Sequence, residues 1–207
     1  MQATTRALWD KQDQHKGDRA RLFAAVAGAV AARRVLYPGC FVDIAASFAF
    51  PDVTYADIDK RAAAFFADTE GTAGIIAENG IDPATRRVRF IHADYNALDL
   101  PEQGFDLLIS LYAGFVSEAC TRFLKPGGTL LVNPSHGDAA MAALDARYRL
   151  SGAVLSGGGG YRVPHDRLDR FLVPKKPTPI SRESLHASNR GVAYTVPAFA
   201  YLFERIA

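Results

Sequence analysis

Six consecutive residues, Asn133-Pro134-Ser135-His136-Gly137-Asp138, gather an amide, a hydroxyl, an imidazole and a carboxylate directly after an apolar run. An imidazole titrates near neutral pH, so His136 suits removal of a proton from an acceptor nucleophile. Asp138 could orient that ring or hold a substrate cation, and Asn133 could donate to a carbonyl or carboxylate. The same composition also suits a plain turn with a helix cap. A second group, Ser110-Leu111-Tyr112-Ala113-Gly114, closes the preceding apolar run, and Tyr112 could serve as a wall, a donor or a base. Two acids, Asp57 and Asp94, end two earlier runs. An acid in such a place stands where a ligand of the sheet would bind; Asp57 could instead cap the helix that follows, and Asp94 could simply be solvated. Asp59 is the better cap.

These residues gain meaning from the elements that must position them. Short apolar runs end at Pro38-Gly39, Asp57, Asp94, Ser110 and Asn133, and helical stretches separate them. Strands alternating with helices at this spacing predict a parallel sheet covered on both faces. Ligands of such sheets bind at the carboxyl ends of the strands. The predicted strands are 34–37, 53–57, 88–94, 105–111 and 129–133, the last entered through the turn Lys125-Pro126-Gly127-Gly128. Helices are expected over 60–68, continuing through 71–79, then from Ser117, over 139–146 and over 181–189. Gly157-Gly158-Gly159-Gly160 suits a flexible loop or hairpin. Residues 192–206 are expected to close the chain as a strand, with Pro197 at an edge or bulge. His92 is expected to pack within its strand. Residues 1–32 form a helical extension that could lie over the cleft as a lid or simply cover the sheet. Residues 33–207 form one domain.

Charge narrows the partners. Lysine and arginine number 24 against 22 acids, a net charge of +2. No basic stripe is dense enough to follow a phosphate backbone, so nucleic acid is not the expected partner. Cys40 and Cys120 have neither disulfide-framework nor metal-site spacing, the five histidines are scattered, and no metal is expected. The apolar run 22–32 is too short to cross a bilayer and the N-terminus lacks a secretory core, which points to a cytoplasmic protein without membrane attachment.

The order of elements resembles the class I S-adenosylmethionine-dependent methyltransferases, in an uncharacterised bacterial branch. Leu124-Lys125-Pro126-Gly127-Gly128-Thr129-Leu130 and Phe105-Asp106-Leu107-Leu108-Ile109-Ser110 carry the resemblance, together with Asp57. It covers residues 34–132, and 195–205 match the family's closing strand. It implies a Rossmann-like three-layer α/β/α fold with a mostly parallel seven-stranded sheet whose last strand is antiparallel. It implies S-adenosylmethionine as cofactor, with Asp57 on the ribose hydroxyls and Asp94 near the adenine amino group. Tyr37, Pro38, Gly39, Ile58, Tyr95, Ser110 and Leu111 are the other implied cofactor contacts. The glycine-rich loop departs from the family pattern. In Tyr37-Pro38-Gly39-Cys40-Phe41-Val42-Asp43, only Gly39 is kept; Tyr37 takes the acidic position, and Phe41 and Asp43 take the later glycine positions.

The expected activity is methyl transfer to a small molecule, with His136, Asn133, Asp138 and Tyr112 as catalytic candidates. Two rivals share the fold. One is an enzyme that performs elimination, cyclisation or proton transfer instead; the other is a non-catalytic subunit. The oligomeric state is left open.

Overall fold

The computed structural model describes residues 1–177 and 179–207. The chain divides into two compact units, Met1–Leu98 and Asp99–Ala207.

The first unit is built on three parallel strands, β1 (Arg34–Pro38), β2 (Asp52–Asp57) and β3 (Arg87–His92), in the order β3-β2-β1. Its helices are α1 (Ala3–Gln12), α2 (Asp18–Ala29), α3 (Ala46–Ala49), α4 (Lys60–Ala67) and α5 (Thr69–Glu78). Asp59 caps α4 by accepting from the Arg61 backbone N–H, as expected. The helical run 60–79 breaks at Asp68, which caps α5 by accepting from Gly71 N–H. A Cβ at Gly71 would lie 2.3 Å from Asp68 Oδ2, so a glycine is what lets this cap form. Asp68 also accepts from Gln2 N–H at 2.7 Å, tying the start of α1 to the α4–α5 junction. Aromatic rings fill the core: Phe66 stacks between Tyr55 at 4.8 Å and Phe90 at 4.7 Å. Helix α1 buries Trp9 edge-on to Phe48, and α2 buries Leu22, Phe23 and Val26.

The second unit contains β4 (Phe105–Ser110), α6 (Val116–Cys120), β5 (Leu124–Val132), α7 (Asp138–Leu144), β6 (Tyr148–Gly157), β7 (Gly160–Arg162), α8 (Arg182–Ser188) and β8 (Ala200–Arg205). Strands β4 and β5 are parallel, and β8 lies antiparallel to β5. Strand β6 pairs antiparallel with the far side of β8, and the short β7 pairs with β6. Among the described residues there are therefore eight strands where seven were expected. The additional one is the return arm of the glycine hairpin, whose central residues Gly158 and Gly159 have φ of 60° and 78°. Both central residues of a tight type I′ hairpin need positive φ, which glycine supplies without strain.

Lys125-Pro126-Gly127-Gly128 is not a turn ahead of β5 but a bulge inside it. Leu124 pairs with Phe105 and Thr129 with Leu107, so four residues oppose one. Lys125 Nζ reaches Asp106 Oδ1 at 2.6 Å across this bulge. The closing strand is shorter than expected. Residues 193–195 are drawn away by Pro174, which bridges Tyr194, with Lys175 N–H donating to Ala193 O and Thr195 N–H to Val173 O. Pro197 thus precedes the strand. Helix α6 starts one residue before Ser117. His92 is exposed rather than packed, with Nε2 3.0 Å from Ile58 O. No described helix is long and apolar enough to cross a membrane.

Candidate active site

At the carboxyl ends of β1 and β2, the chain turns at Gly39 (φ 63°) and again at Phe41 (φ 47°). Gly39 N–H donates to Ala56 O at 2.7 Å. Phe41 N–H donates to Asp57 Oδ2 at 2.7 Å, and Asp59 N–H donates to Asp57 Oδ1 at 2.8 Å. Asp57 therefore ties the loop after β1 to the loop after β2. Its carboxylate is half-buried, and each oxygen keeps one lone-pair direction beyond its backbone donor. Phe41 holds the left-handed backbone that glycine adopts freely, which costs a side-chain-bearing residue about 1–2 kcal/mol. The Arg61 guanidinium lies 4.9 Å from the centre of its ring.

The other departures from the glycine pattern turn inward. Asp43 is 1% exposed, accepts from Tyr37 Oη–H at 3.0 Å and pairs with Arg19 at 3.4 Å. Burial raises the Asp43 carboxyl, while Arg19 and the Tyr37 hydroxyl pull it back. The Tyr37 ring packs edge-on to Phe23 and tilted to Tyr55, so its side chain belongs to the core rather than the rim. Burial pushes both the Tyr37 hydroxyl and the Cys40 thiol well up. Pro38 is buried. Ile58 is 67% exposed beside Asp57. Asp94 lies on the surface, where its Oδ1 accepts from the backbone and side-chain N–H groups of Asn96, both at 2.8 Å. Tyr95, which follows it, is half-buried.

In the second unit, β4 and β5 end at Ser110 and Val132. Asn133 is 3% exposed; its N–H donates to Ser110 O at 3.1 Å and its Oδ1 accepts from Tyr112 N–H at 3.3 Å. This bond stitches the loop after β5 to the loop after β4. Asp138 opens α7 and is 1% exposed. It accepts from Ser110 Oγ–H, Ser117 Oγ–H and Ser117 N–H. Burial raises its carboxyl to about 6, against the lowering effect of those donors. The sequence suggested Asp138 as a partner for His136. The structure gives its carboxylate to the two serines, and His136 Nδ1 instead lies 2.7 Å from Ser135 Oγ. A Ser135 oxygen accepting Nδ1–H leaves Nε2 free to accept a proton; the reverse tautomer does not.

Tyr112 (φ 63°) and His136 (φ 57°) both take left-handed backbone, and Tyr112 is 53% exposed. Residues with side chains persist there only when their surroundings hold them, and such positions cluster at functional sites. Leu111 is buried between Ser110 and Tyr112. Sequence reasoning missed the role of Ser117. The one available signal for Ser117 was a small hydroxyl in the first turn of a helix.

No protein-family model matches the chain, and no curated protein matches it. Solved structures do. The 16S rRNA methylase RmtB aligns with a TM-score of 0.54 at 13% identity, over 98% of this chain and 73% of that one. A putative O-methyltransferase from Klebsiella pneumoniae aligns with a TM-score of 0.53, also at 13% identity, over 79% of this chain and 88% of that one. The chain has a class I methyltransferase-like fold. It also spans about half of the YcgJ protein from Bacillus subtilis, 48% of that chain, at 22% identity and a TM-score of 0.40. Of the implied contacts in this methyltransferase-like fold, Gly39 and Asp57 come together within the first unit. Ser110 comes together with the catalytic candidates Asn133 and Asp138 within the second.

Proposed function

We propose that this protein transfers a methyl group from S-adenosylmethionine to a small molecule. The observation that carries the reading is Asp57. It stands at the end of β2, fixed by two backbone donors, with a half-open carboxylate able to take a ribose diol. The fit extends to its neighbours. Asp43 and Cys40 turn inward, so neither side chain obstructs the loop. Phe41 keeps a glycine-like backbone. Ile58 offers an exposed apolar surface for the face of a base. The bound cofactor would supply a methyl group activated by a cationic sulfonium.

The chain's own part is to align the acceptor and, for a hydroxyl or ammonium acceptor, to take its proton. His136 is assigned that proton at Nε2, with Ser135 Oγ accepting Nδ1–H and fixing the tautomer. Asn133 holds the Tyr112 loop in place. Asp138, engaged by two serines, is assigned to support rather than to proton transfer. The near balance of charge supports a small acceptor over a polyanion.

The test is calorimetry and thermal shift with S-adenosylmethionine and S-adenosylhomocysteine. Ligand at a hundredfold its Kd adds about 2.7 kcal/mol. Stabilisation lost in Asp57→Ala and reduced in the surface variant Ile58→Asp supports the reading; no binding by either ligand ends it. Transfer of labelled methyl groups to total RNA, but not to a small-molecule extract, would replace the small acceptor with nucleic acid. A second reading draws on Tyr37, Phe41 and Asp43, which stand in place of the acid and two glycines of the resembled pattern. It is a fold that performs elimination or cyclisation, and turnover independent of added S-adenosylmethionine would favour it.

A further inference from the structure

Between α8 and the irregular segments on either side of it, the second unit contains an open cavity of about 420 Å³. This volume is within the usual range for small-molecule pockets. Its floor is apolar, formed by Ile180, Leu185 and Val192, which belong to a cluster with Ala140, Met141 and Phe115. Its rim carries Lys175, Lys176 and Arg190, and no acidic residue lines it among the described residues. None of the three cations is paired with an acid among the described residues, although the chain pairs its arginines freely elsewhere. An apolar floor beneath three uncompensated positive charges is complementary to one kind of molecule.

We propose that this cavity binds a small amphipathic anion, with one carboxylate or phosphate head held by Lys175, Lys176 and Arg190 and an apolar body resting on Ile180, Leu185 and Val192. The wall of the cavity backs onto the turn that carries His136. A Cβ at Gly191 would lie 2.3 Å from Pro134 O, and a Cβ at Gly137 would lie 3.0 Å from both Arg190 O and Leu185 Cδ2. These glycines permit direct backbone contact between the cavity wall and the His136 turn. An occupant is therefore expected to perturb His136 without touching it.

Octanoate, octyl phosphate, 1-octanol and octylammonium, each below its micellar concentration, separate charge from apolarity in a calorimetric titration of the full chain. Binding of either anion at least tenfold tighter than octanol, with octylammonium weakest, is expected. The ratio of the two anions identifies the preferred head. The triple variant Lys175→Glu, Lys176→Glu, Arg190→Glu should weaken anion binding at least tenfold. Ser188→Trp, placed on the exposed side of α8 to fill the cavity, should block all the probes while leaving the fold intact by circular dichroism. The His136 ring resonances should shift on anion addition in the parent and not in Ser188→Trp. Equal binding of anion and cation, no binding up to millimolar concentration, or anion binding unchanged in both variants would overturn the proposal.

Discussion

Asp57 ends a strand of this α/β fold and Asp138 opens the helix that follows another, yet their surroundings assign them opposite work. Asp57 takes only backbone donors, one to each oxygen, and remains half-open. Asp138 takes two serine hydroxyls and a backbone N–H, is closed off from solvent, and is raised to about 6 by burial. The first arrangement organises a loop and leaves acceptor capacity for a ligand. The second uses that capacity to lock α7 to β4 and α6. A carboxylate that follows an apolar run is thus a poor guide to function until its donors are known.

The contrast can be broken in four ways. His136→Ala should leave S-adenosylmethionine affinity unchanged and lower kcat by 10²–10⁴-fold, the range for loss of a general base; an equal loss in cofactor affinity would make it a binding residue instead. Asp57→Ala should weaken the cofactor by about 10²-fold, the loss of two charge-assisted hydrogen bonds at roughly 1.5 kcal/mol each. Asp57→Asn, which retains one acceptor oxygen, should fall between.

Asp138 should reveal itself in stability rather than turnover. Its folded-state pKa of about 6 lies above the usual carboxylate value. The native state then binds more protons than the unfolded chain between about pH 4 and 6. The contribution is fully present below about pH 4 and is lost as pH rises through about 6, a change of about 3 kcal/mol. Asp138→Asn should flatten that slope in a denaturation series from pH 4 to 7. The smallest effect belongs to Phe41→Gly. Relief of left-handed strain and the added freedom of glycine nearly cancel, so stability should change by no more than about 1 kcal/mol. Retained cofactor binding would show that the loop's course matters; lost binding would show that the ring itself is the contact.

Much of this architecture was legible in the sequence because strands that end in Pro38, Asp57 and Ser110 declare themselves by apolar runs and abrupt stops. The Gly158-Gly159 hairpin was legible for the same kind of local reason. The Asp138 cluster was not, since Ser110 and Ser117 stand 28 and 21 residues away and only the fold unites them. The left-handed residues Tyr112 and His136 left no trace either, because neither is the glycine that such backbone normally selects; only Phe41 stood at a glycine position of the resembled pattern. The bulge in β5 was misread as a turn because Pro-Gly-Gly serves both, and pairing across Asp106 decides between them. The closing strand was overextended because alternation continues through residues whose hydrogen bonds go to the segment around Pro174.

Strand β3 borders the sheet of the first unit and β7 borders that of the second, with a consequence for association. Strand β3 exposes Arg87, Arg89 and His92, while β7 has only three residues. An edge that exposes two arginines repels a copy of itself, and an edge three residues long offers a newcomer almost nothing to zip onto. Each end discourages chain-to-chain strand addition by its own means, charge at one and brevity at the other, and growth into fibrils from either border is disfavoured.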